Sequence, residues 1–394
     1  MAAKPRVLLT FFEGLTETVI DSQVLEHVRL MQAADIADFE IWALPWDPKV
    51  RELSLARLAD AEHRAGCPIS VFPGIRPGKA GSVLANGSIL AKAAKARGTQ
   101  FDIVHARTDY ATLVAAPFAR DHGAALLFDC RGDSAAELDY RRDLNHWPRR
   151  LLKPLLRHAL TRRLHMAARL CDRALFVSRP LYHLVAGEIC NKPHAVIPCC
   201  AAEDNFFFDP ALRRAARARL GYGVDEIVYI YSGGLQPYQR FDDTIAAFSR
   251  LRARVASVRL LIATPQAEVA RQRLSTLPAG SWQVVSARLE DVNSLLNAAD
   301  AAFLLRYVDG TNRVASPTKF AEYCLTGLPV IMTEAIIDSH RLAMENGNFI
   351  RFDDIRPALT LPPQLDRSGL AQRYRGLLGK RAFFDTYRRI YTPD

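Results

Sequence analysis

The sequence predicts an α/β protein built from two doubly wound units, each with a parallel sheet. Short apolar stretches alternate with longer segments of helical periodicity along the whole chain, which is typical of parallel strands joined by helical crossovers. The alternation is interrupted at 199–210, where the chain is polar, aromatic and proline-bearing, and it then restarts. A chain of 394 residues is long enough for two domains of ordinary size.

The first half is predicted to form an N-terminal domain over residues 1–200. Its strands are expected at 6–12, 39–44, 101–106, 125–130, 173–177 and 195–197. Its helices are expected at 18–34, 54–65, 83–97 and 110–121, where apolar residues recur at helical spacing. Because each strand is followed by a helix, we expect the strands to run parallel.

The second half repeats the same organisation and is predicted to form a C-terminal domain over residues 201–374. Its strands are expected at 227–231, 258–263, 282–285, 301–304 and 328–332, and its helices at 241–251, 269–277, 292–298 and 316–326. An aromatic-rich helix from about 375 to 394 follows. We predict that this helix packs back on the N-terminal domain.

Composition points to a globular protein of a reducing compartment. The chain is 49% hydrophobic and 24% charged, and no apolar run reaches the roughly 18 residues that a membrane span needs. No pattern typical of a signal peptide follows the N-terminus, so we expect a cytoplasmic location. The seven cysteines are odd in number and none has Cys-x-x-Cys spacing. They are therefore interpreted as reduced and mostly buried, not as disulfides or a zinc site.

Most of the net charge of +10 comes from one segment. Residues 141–173 contain ten lysines and arginines against two aspartates, a local balance of +8. Within it, 147–168 interleaves leucines with arginines, which favours an amphipathic helix on the anionic inner face of a membrane. A solvated face with an ordinary core stripe remains the alternative. Nucleic acid is a poorer match, since no recognised binding module accompanies the charge.

Residues 315–332 carry the strongest local signal for a ligand. Ser316 is expected to cap a helix, with Pro317 at its first position and Gly327 at its end. A lysine in the first turn, Lys319, opposes the helix dipole unless an anion lies there, and free backbone N–H groups plus a cation make a phosphate site. Glu322 lies on the same face and could accept two ribose hydroxyls. A surface helix with an ordinary Lys–Glu pair is the alternative.

Motifs of other enzyme classes are missing. The sequence has no complete Gly-x-Gly-x-x-Gly or P-loop, no Gly-x-Ser-x-Gly and no His-Glu-x-x-His. Without an Asp-x-Asp pair, a metal-dependent sugar-nucleotide site of that type has no support. We therefore expect no metal and no resident cofactor.

Several segments, taken in order, resemble the retaining "group 1" or family four glycosyltransferases. This family has the GT-B fold, in which two Rossmann-like domains face a central cleft. The segment 231–248 resembles the family's glycine turn and following helix, and 295–305 resembles the strand lead-in. The segment 316–330 resembles the donor helix, and 196–200 resembles the entry to the interdomain linker.

The resemblance implies a set of site residues. On the donor side they are Gly233, Gly234, Arg240, Ser316, Thr318, Lys319 and Glu322, with Glu322 matching the ribose-binding second glutamate of the family's Glu-x7-Glu motif. The segment 128–132 resembles the Asp-x-Arg-Gly variant, in which Arg131 stands near the usual cleft histidine. Gly14 resembles the glycine of the first loop. His105 and Arg107 close a strand whose end should face the cleft. Catalytic roles are predicted for His105, Arg131 and Lys319, and acceptor-side roles for Gly14 and Arg107.

Three positions depart from the family pattern. The first glutamate of Glu-x7-Glu would fall at Val314, and the family's Arg and Lys after the glycine turn align near Gly234 and Gln239. Phosphate neutralisation must then come from Lys319, Arg240 and backbone N–H groups.

The resulting hypothesis is a retaining, metal-independent hexosyltransferase. It would move a sugar from a nucleoside diphosphate sugar to a glycan or lipid-linked acceptor, in the synthesis of a cell-surface polysaccharide or glycoconjugate. A sugar-nucleotide epimerase on the same fold and a non-catalytic GT-B binding protein remain open. The base, the sugar and the acceptor are left open as well.

Overall fold

The chain folds into two compact units in a computed structural model. The structure describes residues 4–16, 18–141, 149–286, 289–352 and 365–392. Unit 1 comprises Met1–Pro198 and Phe383–Asp394, and unit 2 comprises Cys199–Ala382. The chain thus enters unit 2 at residue 199 and returns to unit 1 for its last residues.

Within its described residues, unit 1 has a seven-stranded parallel sheet. The strands are β1 (Arg6–Phe11), β2 (Asp38–Ala43), β3 (Ile69–Val71), β4 (Ile103–Arg107), β5 (Ala125–Cys130), β6 (Arg173–Phe176) and β7 (His194–Val196). Their order is β3-β2-β1-β4-β5-β6-β7. The interior strand β1 is buried at every residue after Arg6, as expected for a strand covered on both faces.

Helices connect these strands and cover the sheet. They are α1 (Thr18–Ile20), α2 (Glu26–Ala33), α3 (Pro48–Ala56), α4 (Leu58–Ala65), α5 (Ser82–Arg97), α6 (Asp109–Asp121), α7 (Ser134–Glu137), α8 (Lys153–Leu170), α9 (Arg179–His183) and α10 (Ala186–Ile189). A π-helical turn, Asp21–Leu25, joins α1 to α2. The predicted helix 18–34 is therefore present, but with a change of hydrogen-bond pattern inside it.

Unit 2 has a six-stranded parallel sheet within its described residues. The strands are β8 (Ile227–Ser232), β9 (Val258–Ala263), β10 (Trp282–Val285), β11 (Ala301–Leu304), β12 (Val330–Met332) and β13 (Phe349–Arg351), in the order β10-β9-β8-β11-β12-β13. The helices are α11 (Pro210–Leu220), α12 (Phe241–Arg252), α13 (Ala267–Leu274), α14 (Leu289–Ala298), α15 (Gly310–Arg313), α16 (Thr318–Leu325), α17 (Ile337–Asn346) and α18 (Arg367–Leu378). The last helix of the chain, α19 (Phe384–Tyr391), belongs to unit 1.

The predicted fold class is confirmed, with two local corrections. The edge strands β3 and β13, which have three residues each, were not expected. The single helix expected over 375–394 is wrong. The chain between α18 and α19 is held instead by a bridge of Gly379 to Ala201 and by backbone hydrogen bonds that flank it, so the two helices divide between the two units.

Cysteine placement agrees with the sequence-based expectation. Five of the seven are buried. Burial raises the pKa of the Cys67 thiol to about 12, with further contributions from Glu40 and Glu62, so this thiol stays protonated and unreactive.

The turn after α16 should tolerate no side chain at Gly327. This glycine has a φ of +66°, and a methyl group there would overlap the backbone carbonyl of Arg367. We expect G327A to destabilise the protein by about 2–4 kcal/mol, since both left-handed strain and displaced backbone are involved. Urea unfolding measures the loss.

The matched control is G347A. Gly347 also has a positive φ, +74°, but no heavy atom lies within 4 Å of an added methyl. We expect it to cost about 1 kcal/mol. Equal losses for the two variants would show that Arg367 does not constrain this turn.

Candidate functional site

Lys319 lies in the first turn of α16, and its ammonium group reaches the glycine turn after β8. Its Nζ donates to Oε1 of Gln239 at 2.5 Å and lies 5.2 Å from the centre of the Tyr231 ring. A methyl group on Gly233 would overlap Nζ and Cε of this lysine. Gly233, with a φ of +115°, is therefore required both by the turn and by the lysine.

The glycine turn is shaped by neighbouring strands of the sheet. The Gly233 N–H donates to the Ala263 carbonyl at 2.7 Å, and the Tyr231 hydroxyl lies within hydrogen-bond distance of the Gly234 carbonyl. The same hydroxyl is 2.8 Å from Oε1 of Gln239. Gln239 stands where the resemblance places a lysine, and the ammonium of Lys319 now contacts it. In this chain the cation beside Gln239 therefore comes from α16.

Ser316 does not cap α16, contrary to the prediction. The cap position is held by Pro317, and the Ser316 hydroxyl accepts a hydrogen bond from the Cys199 N–H at 2.9 Å. Because no side chain satisfies the first turn, the N–H groups of Thr318 and Lys319 lack intrahelical acceptors. A helix start of this kind is suited to an anion.

Burial shifts the protonation of both ionisable groups on this face of α16. It lowers the pKa of Lys319 to about 7, with the charge of Arg306 adding to the effect and Glu322 opposing it. Burial raises the pKa of the Glu322 carboxyl to about 7, against an opposing effect of Lys319. Glu322 is 8% exposed, and its carboxyl group has no hydrogen-bond or ion-pair partner in the described part of the chain.

Arg306 is a site residue that sequence reasoning missed. It lies two residues after the end of β11 and is 5% exposed, and both its N–H and its carbonyl hydrogen-bond the Thr333 hydroxyl. Its guanidinium lies over the Tyr238 ring, with 5.7 Å from Cζ to the ring centre. β11 pairs with β8, the strand that leads to Gly233. A residue of this kind is expected near the end of a strand that pairs with the strand leading to a glycine turn.

The guanidinium of Arg240 contacts an acidic side chain, two aromatic rings and a backbone carbonyl. Its Nε donates to Asp243 at 2.7 Å, and its Cζ lies 4.8 Å from the Tyr307 ring centre and 5.3 Å from that of Phe352. Nη1 also donates to the Arg306 carbonyl at 3.3 Å. Arg240 therefore supports the Arg306 backbone, and its charge is balanced by Asp243.

In unit 1, charged side chains converge on Asp129 at the end of β5. Its carboxylate lies 3.4 Å from Nη1 of Arg131, 3.7 Å from Nη1 of Arg107 and 3.4 Å from Nε2 of His105. Burial alone would raise the pKa of Asp129, but Arg131, His105 and Arg107 outweigh it and hold the pKa well below its usual value. Asp129 is therefore ionised and organises both arginines.

Among the predicted unit 1 residues, exposure differs sharply. Arg131 is half-buried and its Nη2 donates to Gln23 at 3.0 Å, whereas His105 is 3% exposed and its Nδ1 contacts the Tyr391 hydroxyl. Gly14 packs against α3, where a methyl group would overlap Val50. The structure thus brings His105, Arg107 and Arg131 together and gives Gly14 a packing role.

The basic segment is divided by the structure into paired and exposed groups. Arg163 makes two hydrogen bonds to Asp109, at 2.9 and 3.0 Å, and Arg157 donates to Asp139. Arg150 and Arg162 are exposed and have no ion-pair partner among the described residues. Leu151, Leu152 and Leu155 are 62%, 52% and 66% exposed. The predicted segment 147–168 begins outside the described residues, since 142–148 are not part of them.

Comparison with solved structures identifies the class of fold. Sucrose-phosphate synthase of Thermosynechococcus elongatus superimposes with a TM-score of 0.71 at 12% identity, over 98% of both chains. HepE of Anabaena, solved with UDP and glucose, has a TM-score of 0.67 at 13% identity, again over 98% of both chains. The catalytic domain of Arabidopsis thaliana starch synthase IV, bound to ADP and acarbose, has a TM-score of 0.59 at 10% identity over 99% of both chains.

The chain therefore has the GT-B fold. A similarity at these identities establishes the fold alone. Another solved structure with this fold is a UDP-N-acetylglucosamine 2-epimerase from Listeria monocytogenes, which has a TM-score of 0.52 at 11% identity, over 99% of this chain and 92% of that chain. No family model and no curated protein sequence matches the chain.

No helix in 4–16, 18–141, 149–286, 289–352 or 365–392 is long and apolar enough to cross a membrane. In the same residues, no group of three or more His, Cys, Asp or Glu side chains could hold a metal ion.

Replacing the buried Glu322 carboxyl should stabilise the empty protein at neutral and alkaline pH. The pKa of this carboxyl is about 7 in the folded state, against an ordinary value of 4.5. A raised carboxyl pKa means that wild-type stability falls as pH rises through that window. We expect E322Q to be more stable than wild type at pH 8, by about 1–3 kcal/mol, and equal to it near pH 4.

The measurement is urea unfolding at several pH values. E268Q serves as the control, because the Glu268 side chain is 89% exposed and should leave the profile unchanged. A loss of stability in E322Q at pH 8 would contradict the assignment of this carboxyl as a buried group without a partner.

Proposed function

We propose that the protein is a retaining glycosyltransferase that uses a nucleoside diphosphate sugar and no metal ion. The observation that carries the proposal is the ammonium of Lys319, held against Gly233 at the uncapped start of α16 with the buried Glu322 one turn later. A cation with free N–H groups suits a diphosphate, and a carboxylate without a partner suits the two hydroxyls of a ribose. The UDP-bound and ADP-bound solved neighbours support this class of ligand.

In the proposed reaction, the bond from the anomeric carbon to the diphosphate breaks as a bond to the acceptor oxygen forms. The acceptor proton goes to the leaving diphosphate. Charge grows on that diphosphate in the transition state, so Lys319 would contribute more to turnover than to ground-state binding. Lys319 and Arg306 would supply the positive charge that a metal ion supplies elsewhere.

On the acceptor side, we propose that Arg131 contacts a glycan or lipid-linked acceptor. Its guanidinium is half-buried and aligned by Asp129 and Gln23. Arg107 is 6% exposed and would support the same surface from beneath. His105 is too deeply buried to touch a substrate directly and would act through Asp129.

Lys319 should matter for the diphosphate and not for the nucleoside. K319M removes the charge and keeps much of the apolar stem. We expect nucleoside diphosphate affinity to fall by about one to two orders of magnitude, as loss of a charge-assisted contact implies, while nucleoside affinity holds. The measurement is a pair of calorimetric titrations, uridine and UDP, repeated with the guanosine and adenosine ligands and all in the presence of EDTA.

A charge-swap variant gives the matched control. Oε1 of Gln239 lies 2.5 Å from Nζ of Lys319, so Q239K in the K319M background restores a cation at nearly the same point. We expect it to regain part of the diphosphate affinity. If K319M weakens both ligands equally, or neither of them, the diphosphate assignment is wrong.

In E322Q, by contrast, nucleoside affinity itself should fall about tenfold.

We further propose that unit 1 contacts an anionic membrane through the turn before α8 and the start of that helix. Exposed leucines beside exposed arginines support this, namely Leu151, Leu152 and Leu155 with Arg150 and Arg162. The apolar side chains would enter the interface, and the guanidinium groups would meet the lipid phosphates. A cytoplasmic protein at the inner face of the membrane, acting on a lipid-linked acceptor, agrees with this surface.

Vesicle co-sedimentation tests the membrane surface. We expect binding to anionic vesicles at low salt, release by salt, and a loss of about tenfold or more in R150Q/R162Q, since each arginine contributes about 1 kcal/mol. L151S/L155S should also lose binding. The control R214Q/R254Q makes the same charge change at two exposed positions of unit 2. Equal binding by all variants would leave a solvated face as the explanation.

A further inference from the structure

The hydroxyl of Tyr391 joins two buried histidines of unit 1. It lies 2.8 Å from Nδ1 of His105 and 3.1 Å from Nε2 of His27. Tyr391 is fully buried, and the two histidines are 3% and 7% exposed. Burial raises the pKa of Tyr391 well above its usual value, so the phenol keeps its proton. It can therefore donate to one histidine and must accept from the other.

Arg173 holds the C-terminal end of α19 in place. Arg173, at the start of β6, donates from Nη1 to the carbonyls of Ile390 at 3.0 Å and Arg389 at 3.4 Å, and it also contacts the Thr392 carbonyl. A cation at the last carbonyls of α19 donates hydrogen bonds to those carbonyls and complements the helix dipole. The helix that carries the Tyr391 hydroxyl is therefore held in place by Arg173.

Asp129 decides the direction of the hydrogen bonds. Its carboxylate is ionised and lies 3.4 Å from the second ring nitrogen of His105, Nε2. In a neutral imidazole, a bare Nε2 facing that carboxylate would set two acceptors against each other, so the proton belongs on Nε2. Nδ1 is then the acceptor and Tyr391 the donor. The Tyr391 oxygen must in turn accept from Nε2–H of His27.

We propose that Tyr391 is a positioning residue for the charged cluster of unit 1. Through hydrogen bonds that link His27, Tyr391 and His105, it fixes His105 in the tautomer that carries its proton on Nε2, 3.4 Å from the Asp129 carboxylate. Asp129 then holds Arg131 and Arg107, which lie 3.4 and 3.7 Å from its oxygens. His105 and Arg107 share one face of β4, being two residues apart. The consequence for turnover rests on the proposed function, whereas the tautomer does not.

The experiment reads the histidine tautomers directly. Two-dimensional ¹H–¹⁵N correlation of the imidazole rings at pH 8, assigned with H105Q and H27Q, should give Nε2–H for both His105 and His27. In Y391F, the Nδ1 signal of His105 should move toward that of an acceptor without a donor. The control is Y387F on the same helix, whose ring stacks on Tyr391 at 5.9 Å and which should leave the His105 signals unchanged.

Kinetics form the second arm. With whichever of UDP-, GDP- and ADP-glucose the wild type turns over fastest, Y391F should lower kcat about fivefold, as loss of one hydrogen bond implies, with an unchanged KM for the donor. Y387F should match the wild type.

The outcomes separate the two proposals. A wild-type spectrum with the His105 proton on Nδ1, or on both nitrogens, overturns the relay, and this holds even if Y391F fails to fold. A tautomer as expected with unchanged kcat in a folded Y391F overturns the positioning role. A tautomer as expected in a protein that turns over none of the three donors supports the relay and counts against the proposed function.

Discussion

In unit 2, the contact of the Lys319 ammonium with the glycine turn after β8 constrains the residues around it. It requires no side chain at Gly233, a neutral acceptor at Gln239 and a helix that starts at Thr318. Burial and the nearby Arg306 lower the pKa of Lys319 to about 7. A protein that keeps a cation in surroundings that disfavour its charge gives up stability, and such sites are characteristic of ligand binding.

Unit 1 presents the opposite electrostatic arrangement. There, the ionised carboxylate of Asp129 is surrounded by Arg131, Arg107 and His105, so that opposite charges stabilise one another. The groups are held before any ligand arrives. A site of this kind contributes orientation, because its side chains lose little freedom on binding. The uncompensated cation of unit 2 contributes electrostatic attraction instead.

Local sequence signals were reliable where the physical cause is local. Strand β5 was predicted with its observed ends, and the helix ending at Gly327 follows from the left-handed conformation of that glycine. The prediction that Ser316 caps α16 is wrong for a tertiary reason. Its hydroxyl accepts a hydrogen bond from the Cys199 N–H, 117 positions away in the chain. In the basic segment, Arg163 is engaged by Asp109 on a different helix, a contact that no local pattern shows.

The resemblance of several motifs to a known family implied the GT-B fold class. The sequence by itself determined the two doubly wound units, the position of Lys319 on a helix start and the placement of His105, Arg107 and Arg131 at strand ends. Periodicity and strand-end placement suffice for these, since parallel strands bring their carboxyl ends to one edge. Only the tertiary structure decided that Arg306 lies near Lys319, that Gln239 receives its ammonium, and that Tyr391 joins two histidines. Those contacts link residues 13, 80 and 286 or more positions apart, and no local pattern records which distant side chains a fold brings within hydrogen-bond reach.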